Sequence, residues 1–329
     1  MKTGSIGRRG SFFAAALAVP AIAHAQARRP LRLVVPFPPG GGVDSLARML
    51  AERLPTLLDQ QVIVDNRSGA GGLIGADAVA KGPPDGSMVG IIGAATLCAA
   101  PFLQQSMPFD VVRDLVAVTQ ITDSAVLLGV NAARAAERGW TDLAAFLAWA
   151  RANPGGARIA HAGVATVSHL ALSALATAAD ATITQVPYRG GAQAATDLVS
   201  GTLDGSADLP TPLLPHVEAG RVKALGVSSG RRLAFLPDIP AFAETAGLGE
   251  IDVRSWNAVM APAGTPAVEI ARLHAAFRAA AASPGFAAGL RPLGYDAVTS
   301  ASPAEATAMI AAETPRWRRL VEISGARVE

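Results

Sequence analysis

The chain has 329 residues, half of them apolar, with 28 basic and 26 acidic side chains. That length holds about two domains with sizeable cores, and the near-balanced charge, without a basic stripe, excludes a nucleic-acid surface. Cys98 is the single cysteine, which rules out an intrachain disulfide; its apolar surroundings at 94–100 read as those of a buried, inert thiol.

The first element in chain order is a leader. Arg8 and Arg9 head an apolar run from Phe12 to Ala23, which ends in Ala23-His24-Ala25 before Gln26. A basic head, an apolar stretch and a small-x-small cleavage signal make a secretory signal peptide, so cleavage after Ala25 and a periplasmic location are expected. The run of roughly 12 residues is shorter than the ~20 a membrane helix needs, and no later stretch is long enough to span. Removing residues 1–25 takes Lys2, Arg8 and Arg9 from the 28 basic side chains and none of the 26 acids, which leaves a formal net charge of −1.

Short apolar runs then alternate with amphipathic stretches. Strands are expected at 31–35, 62–65 and 87–92, with helices at 43–58 and 72–80 between them. Pro83-Pro84-Asp85-Gly86 is a turn by composition. A second series follows: strands at 126–130, 159–162, 183–186 and 222–227, a helix at 141–152 with Thr141 as its N-cap, and helices from 168 and over 191–200. The tail holds a strand near 253–260 and helices near 266–282 and 303–323. This alternation predicts an α/β chain, each domain a mostly parallel sheet flanked by helices. No Pro/Gly/Ser linker separates the halves, so the chain is expected to cross between domains twice, near 129–131 and 252–255. Domain 1 is then 26–130 plus 254–329, and domain 2 is 131–253.

Two glycine loops carry the chemistry. Pro36-Phe37-Pro38-Pro39-Gly40-Gly41-Gly42-Val43-Asp44 joins a strand to a helix, as does Asn66-Arg67-Ser68-Gly69-Ala70-Gly71-Gly72. Glycines let backbone N–H groups approach a ligand closely, and a helix start adds unpaired donors with partial positive charge. Together they make an anion site without a charged side chain. In open α/β folds such loops lie at the carboxyl edge of the sheet, where ligands bind. Asp44 beside an anion caps the helix or faces a polar or cationic part of the ligand. In the second domain the small-residue loop 163–168 and Val186-Pro187-Tyr188-Arg189-Gly190-Gly191 supply a facing wall.

Other motifs are weak. Gly69–Gly75 reads as GxGxxxG, but no acidic residue follows at the distance a ribose needs. Gly226-Val227-Ser228-Ser229-Gly230 matches the GxSxG nucleophile elbow, yet the segment after it is too short for the helix that motif requires. A serine hydrolase using Ser228 is therefore the minor alternative. His161, His169, His216 and His274 form no metal-ligand spacing, so neither metal nor cofactor is expected.

The two loops, with Pro84-Asp85-Gly86, Phe109-Asp110, Val186–Gly191, Leu236-Pro237-Asp238-Ile239-Pro240 and Ala261-Pro262-Ala263-Gly264-Thr265-Pro266 in that order, make the chain resemble the periplasmic receptors of tripartite tricarboxylate transporters, often called Bug receptors. The resemblance implies a two-domain flytrap (periplasmic-binding-protein) fold, capture of a small carboxylate for membrane permease subunits, and no catalysis. A sensor or adaptor with the same ligand shares that fold. Carried over by position, ligand contacts come from Phe37, Gly40, Gly41, Gly42, Val43, Asp44, Ala70, Gly71 and Thr96 in domain 1. In domain 2 they come from Gly163, Thr166, His169, Tyr188 and Asp208. The chain is read as a monomer. It departs from the family pattern at His161, where a small polar residue is usual, at Ala165, where glycine is usual, and at Ser173, where an acid is usual.

Overall fold

The computed structural model describes Met1 and residues 29–326; the expected signal peptide, Met1 aside, lies outside the described residues. The chain opens with β1 (Leu31–Val35), α1 (Gly42–Leu58), β2 (Val62–Asn66), α2 (Leu73–Ala80) and β3 (Met88–Gly93). A π-helical turn at Ala95–Ala99 leads into α3 (Ala100–Leu103), α4 (Val111–Asp114) and β4 (Leu115–Asp123). Next come β5 (Leu127–Asn131), α5 (Ala132–Arg138), α6 (Leu143–Ala152), β6 (Arg158–His161), α7 (Val167–Ala178), β7 (Thr184–Pro187), α8 (Gly191–Val199), β8 (Gly205–Asp208), α9 (Pro210–Glu218) and β9 (Val222–Val227). The chain returns through β10 (Asn257–Pro262), α10 (Ala267–Ala281), α11 (Phe286–Leu290), β11 (Asp296–Ala297) and α12 (Pro303–Ser324).

Two sheets result, ordered β11-β4-β10-β3-β1-β2 and β7-β6-β8-β5-β9. In the first, β1 is parallel to β2 and β3, while β10 runs antiparallel between β3 and β4. In the second, β6 is parallel to β7 and β8, and β5 runs against β8 and β9. Each sheet is thus mostly parallel: β10 and the short edge strand β11 are reversed in the first, and β5 in the second. Strands buried on both faces need near-continuous apolar sequence, which Leu31-Arg32-Leu33-Val34-Val35 and Met88-Val89-Gly90-Ile91-Ile92 provide. Helix α1 covers one face through Leu46, Leu50, Leu54 and Leu58, an i,i+4 apolar row.

Several helix starts follow short polar side chains. Asn131, Asp142, Thr166 and Ser302 each accept a backbone N–H in the first turn. The cap of α6 is Asp142, which accepts from Ala145 N–H at 2.8 Å, so the helix starts one residue later than a Thr141 cap predicts. A carboxylate there also meets the positive end of the helix dipole.

The sheets exchange the chain at 124–126 and 253–255. Ala125 and Arg254 form an antiparallel bridge, Ser255 N–H donates to Ser124 O, and Val253 N–H donates to Ser228 O. All five residues of β5 lie in the second sheet, so a crossing at 129–131 falls inside that strand. Arg254 Nη1 binds the buried Asp123 carboxylate at 2.9 Å beside the crossing. Helix α12 turns Ala306, Ile310, Trp317 and Val321 inward, and Leu170 of α7 packs in that same cluster. The last helix therefore touches both halves.

Strand directions fix where the loops go. β4 runs with β3, so the carboxyl ends of β1–β4 share the edge next to the crossing. β5 leaves the crossing, β8 runs back toward it, and β6 and β7 run with β8. The two carboxyl edges face each other, and Thr211 Oγ1 donates to Leu293 O across them at 2.9 Å.

Candidate ligand-binding site

The loop after β1 is held by Asp44. Its carboxylate is 2% exposed; Oδ2 accepts Gly40 N–H at 2.9 Å and Arg48 Nε at 2.9 Å, while Oδ1 accepts Asn66 Nδ2 at 2.9 Å. Asn66 Nδ2 also reaches Phe37 O at 3.1 Å. One carboxylate thus ties the first glycine loop to the second. The Arg48 guanidinium, chiefly, holds the Asp44 carboxyl down at about 2, against the opposing effect of burial.

Gly40 N–H is taken by Asp44, whereas among the described hydrogen bonds the amides of Gly41, Gly42 and Val43 have no internal partner. They open α1, where the dipole favours an anion. In the second loop Gly72 N–H closes on Gly69 O at 3.0 Å, and the amides of Ala70 and Gly71 are left without a partner. Thr96 Oγ1, on the π-helical turn, donates to Gly71 O at 3.2 Å and so sets the loop from below. Sequence reasoning missed two supports. Asn66 is one; Tyr295 is the other, its ring 3.4 Å from where a Cβ on Gly42 would stand. No local motif marks Tyr295, which lies in a short connection far along the chain.

The facing wall is the loop 161–169. His161 and His169 stack with ring centroids 4.7 Å apart. Ala165 N–H donates to His169 Nδ1 at 3.2 Å, which leaves the proton of the neutral ring on Nε2. Burial lowers the pKa of both rings. Thr166 caps α7 and donates to Gly163 O at 2.6 Å. Ala165 has φ 64°, a left-handed conformation that favours glycine, so the departure from glycine there carries backbone strain. Ser173 is buried and accepts from Gln185 Nε2 at 3.1 Å, which puts it in the packing under β7. The Tyr188 hydroxyl donates to Asp197 at 2.7 Å, leaving its ring and the acceptor side of its oxygen for other contacts. Asp208 ends β8 at the same edge and is buried. An apolar cavity of about 810 Å³ lies elsewhere, among Leu97, Phe109, Met260 and Ile310, and holds none of these residues.

Ser228 has a different task from the one its motif suggests. It is fully buried; Oγ accepts Val126 N–H at 2.9 Å and donates to Val253 O at 2.6 Å. Its partners are the two crossing segments, and no histidine bonds to it. Ser228→Ala strands a buried N–H and a buried carbonyl, a loss of about 1–3 kcal/mol. Urea denaturation is expected to show that loss, with no change in esterase background.

Two mostly parallel sheets whose carboxyl edges face each other, joined by two adjacent crossings, define a two-domain solute-binding protein of the flytrap type, the fold of solved periplasmic binding proteins. Residues 46–326 match the family described as Tripartite tricarboxylate transporter family receptor. BugT of Bordetella pertussis is 34% identical over 322 residues, covering 97% of each chain. An R. palustris protein solved with adipate is 31% identical with a TM-score of 0.76, over 91% of this chain and 99% of that one. MatC from Rhodopseudomonas palustris, solved with bound malate, is 29% identical with a TM-score of 0.72, over 89% and 99%. The chain belongs to the tripartite tricarboxylate transporter receptor family, whose members are periplasmic solute-binding proteins and not enzymes.

Proposed function

We propose that this receptor captures a small carboxylate between its two domains and delivers it, as a monomer, to the membrane permease subunits of a tripartite tricarboxylate-type transporter, after export and cleavage behind Ala25. The observation that carries the reading is the set of unpartnered amides at Gly41, Gly42, Val43, Ala70 and Gly71, on loops braced from beneath by Asp44, Asn66 and Thr96. Phe37 and Thr96 flank the anion, and Gly163, Thr166, His169, Tyr188 and Asp208 face it from the second domain. The adipate and malate with which two relatives were solved are small dicarboxylates, which fits a site built on backbone donors.

Magnitudes agree. Hydrogen bonds to a charged group contribute roughly 1.5–3 kcal/mol each, and micromolar affinity needs about 8 kcal/mol. Four or five amides on one carboxylate reach that without an arginine clamp, and closure strengthens them by excluding water. The test is a thermal-shift screen over small mono- and dicarboxylates, followed by calorimetry. A stabilising acid with micromolar affinity is expected; a panel in which no carboxylate shifts the unfolding temperature sinks the reading.

A further inference from the structure

Asp208 has one carboxylate oxygen with nothing to bind. Oδ1 accepts Leu209 N–H at 2.7 Å, while Oδ2 is buried without any partner, and the residue is only 6% exposed. Oδ2 lies against the first residue of α8: a Cβ on Gly191 would overlap it, and would stand 2.7 Å from Pro212 Cγ. Glycine at 191 is what leaves room for that oxygen. Helix α8 has nine residues and no side-chain cap, because Gly190 precedes it. The amides of Gly191 and Ala192 have no partner among the described hydrogen bonds.

An unsatisfied buried carboxylate oxygen is costly, so an external group that meets it recovers that cost on binding. Here an acceptor and a pair of donors stand side by side. A bare carboxylate satisfies the amides but meets a like charge on Asp208. An ammonium satisfies Asp208 but points its own protons at amide donors. A hydroxyl does both, donating to Oδ2 while accepting from a Gly191 or Ala192 N–H. We propose that Asp208 and the start of α8 form a hydroxyl subsite, and that the preferred guests of this receptor are hydroxy-carboxylates. The inference rests on the receptor reading above, with the guest's carboxylate at the two glycine loops.

The test uses pairs of carboxylates that differ by one hydroxyl, such as succinate and malate, propionate and lactate, phenylpropionate and phenyllactate, each titrated by calorimetry. In the wild-type protein the hydroxylated member of at least one pair is expected to bind at least ~10-fold tighter, a factor that about 1.4 kcal/mol supplies. Asp208→Asn is the diagnostic variant. Leu209 N–H keeps the amide oxygen at the Oδ1 position, so the NH2 group takes the place of Oδ2 and turns an acceptor into a donor. The preference is expected to fall to about 2-fold or less, or to reverse. A structural role alone would weaken both members of a pair equally and leave their ratio unchanged. Asp208→Ser, with a smaller group that can still accept, keeps part of the ratio. If carboxylates bind but no hydroxylated member is preferred, or if Asp208→Asn keeps the ratio, the hydroxyl subsite is wrong while the receptor stands; Oδ2 then belongs to a resident water. If no carboxylate binds, both fall.

Discussion

Gly41→Leu is expected to weaken carboxylate binding by about a hundredfold or more while leaving the fold intact. Gly41 has φ −80°, a conformation open to any residue, and the only heavy atom near an added Cβ is Pro38 O at 3.8 Å. A leucine therefore strains nothing locally, yet it stands over the unpartnered amides at the start of α1. Loss of two charged hydrogen bonds at roughly 1.5–3 kcal/mol each gives the hundredfold. Gly75→Ala makes the contrast. Its Cβ would come within 2.7 Å of Pro36 Cα and 2.9 Å of Arg67 O, both rigid backbone, so α2 must move away from the first loop. That variant loses binding together with about 1–3 kcal/mol of stability. Paired calorimetry and thermal melts separate the two, and a Gly41→Leu protein that binds normally would show that the ligand does not sit on those amides.

Much of this architecture is legible because its signals are local. β1, α1, β2, α2 and β3 follow from apolar periodicity and from turns such as 83–86. The elements that escape are those whose stability comes from tertiary packing. Strand β8 (Gly205-Ser206-Ala207-Asp208) has little apolar character and is held between β6 and β5. Helix α9 carries Pro210, Pro212 and Pro215, which reads as a breaker although the first two sit in the opening turn, where a proline costs no hydrogen bond. β4 was hidden too, because its polar residues Thr119, Gln120 and Thr122 are buried at the crossing, where Asn257 Nδ2 donates to Thr122 Oγ1 at 2.9 Å.

The binding edge divides the same way. Glycine loops at strand–helix junctions announce free amides, since the chemistry is in the backbone and in sequence-adjacent residues. What holds them is invisible locally: Asn66 lies 22 residues from Asp44, and Tyr295 comes from the far end of the chain. The GxSxG segment is the converse case. The motif is local, but burial of Ser228 between two crossing segments gives the hydroxyl a structural task.

Asp44→Ala decides whether that carboxylate is brace or ligand contact. As a brace it accepts from Gly40, Arg48 and Asn66, and its loss leaves Gly40 N–H without an acceptor and Asn66 Nδ2 with Phe37 O alone, about 1–3 kcal/mol of stability. Binding is expected to weaken by roughly tenfold, because the loops lose their shared anchor but keep every amide, a change of ~1.4 kcal/mol. The pH dependence follows from the depressed carboxyl, about 2 against an ordinary 3.8. A group held below its unfolded value contributes stability that is fully present above that value and is lost as pH falls through its folded value. Urea denaturation should show a constant gap between wild type and Asp44→Ala from pH 7 down to about 5, and a narrowing gap below about 4 as the unfolded-state carboxyl protonates. A direct ligand contact behaves otherwise. Removing it would abolish binding without altering stability at any pH, and that outcome would move Asp44 from beneath the loop to the surface of the crevice.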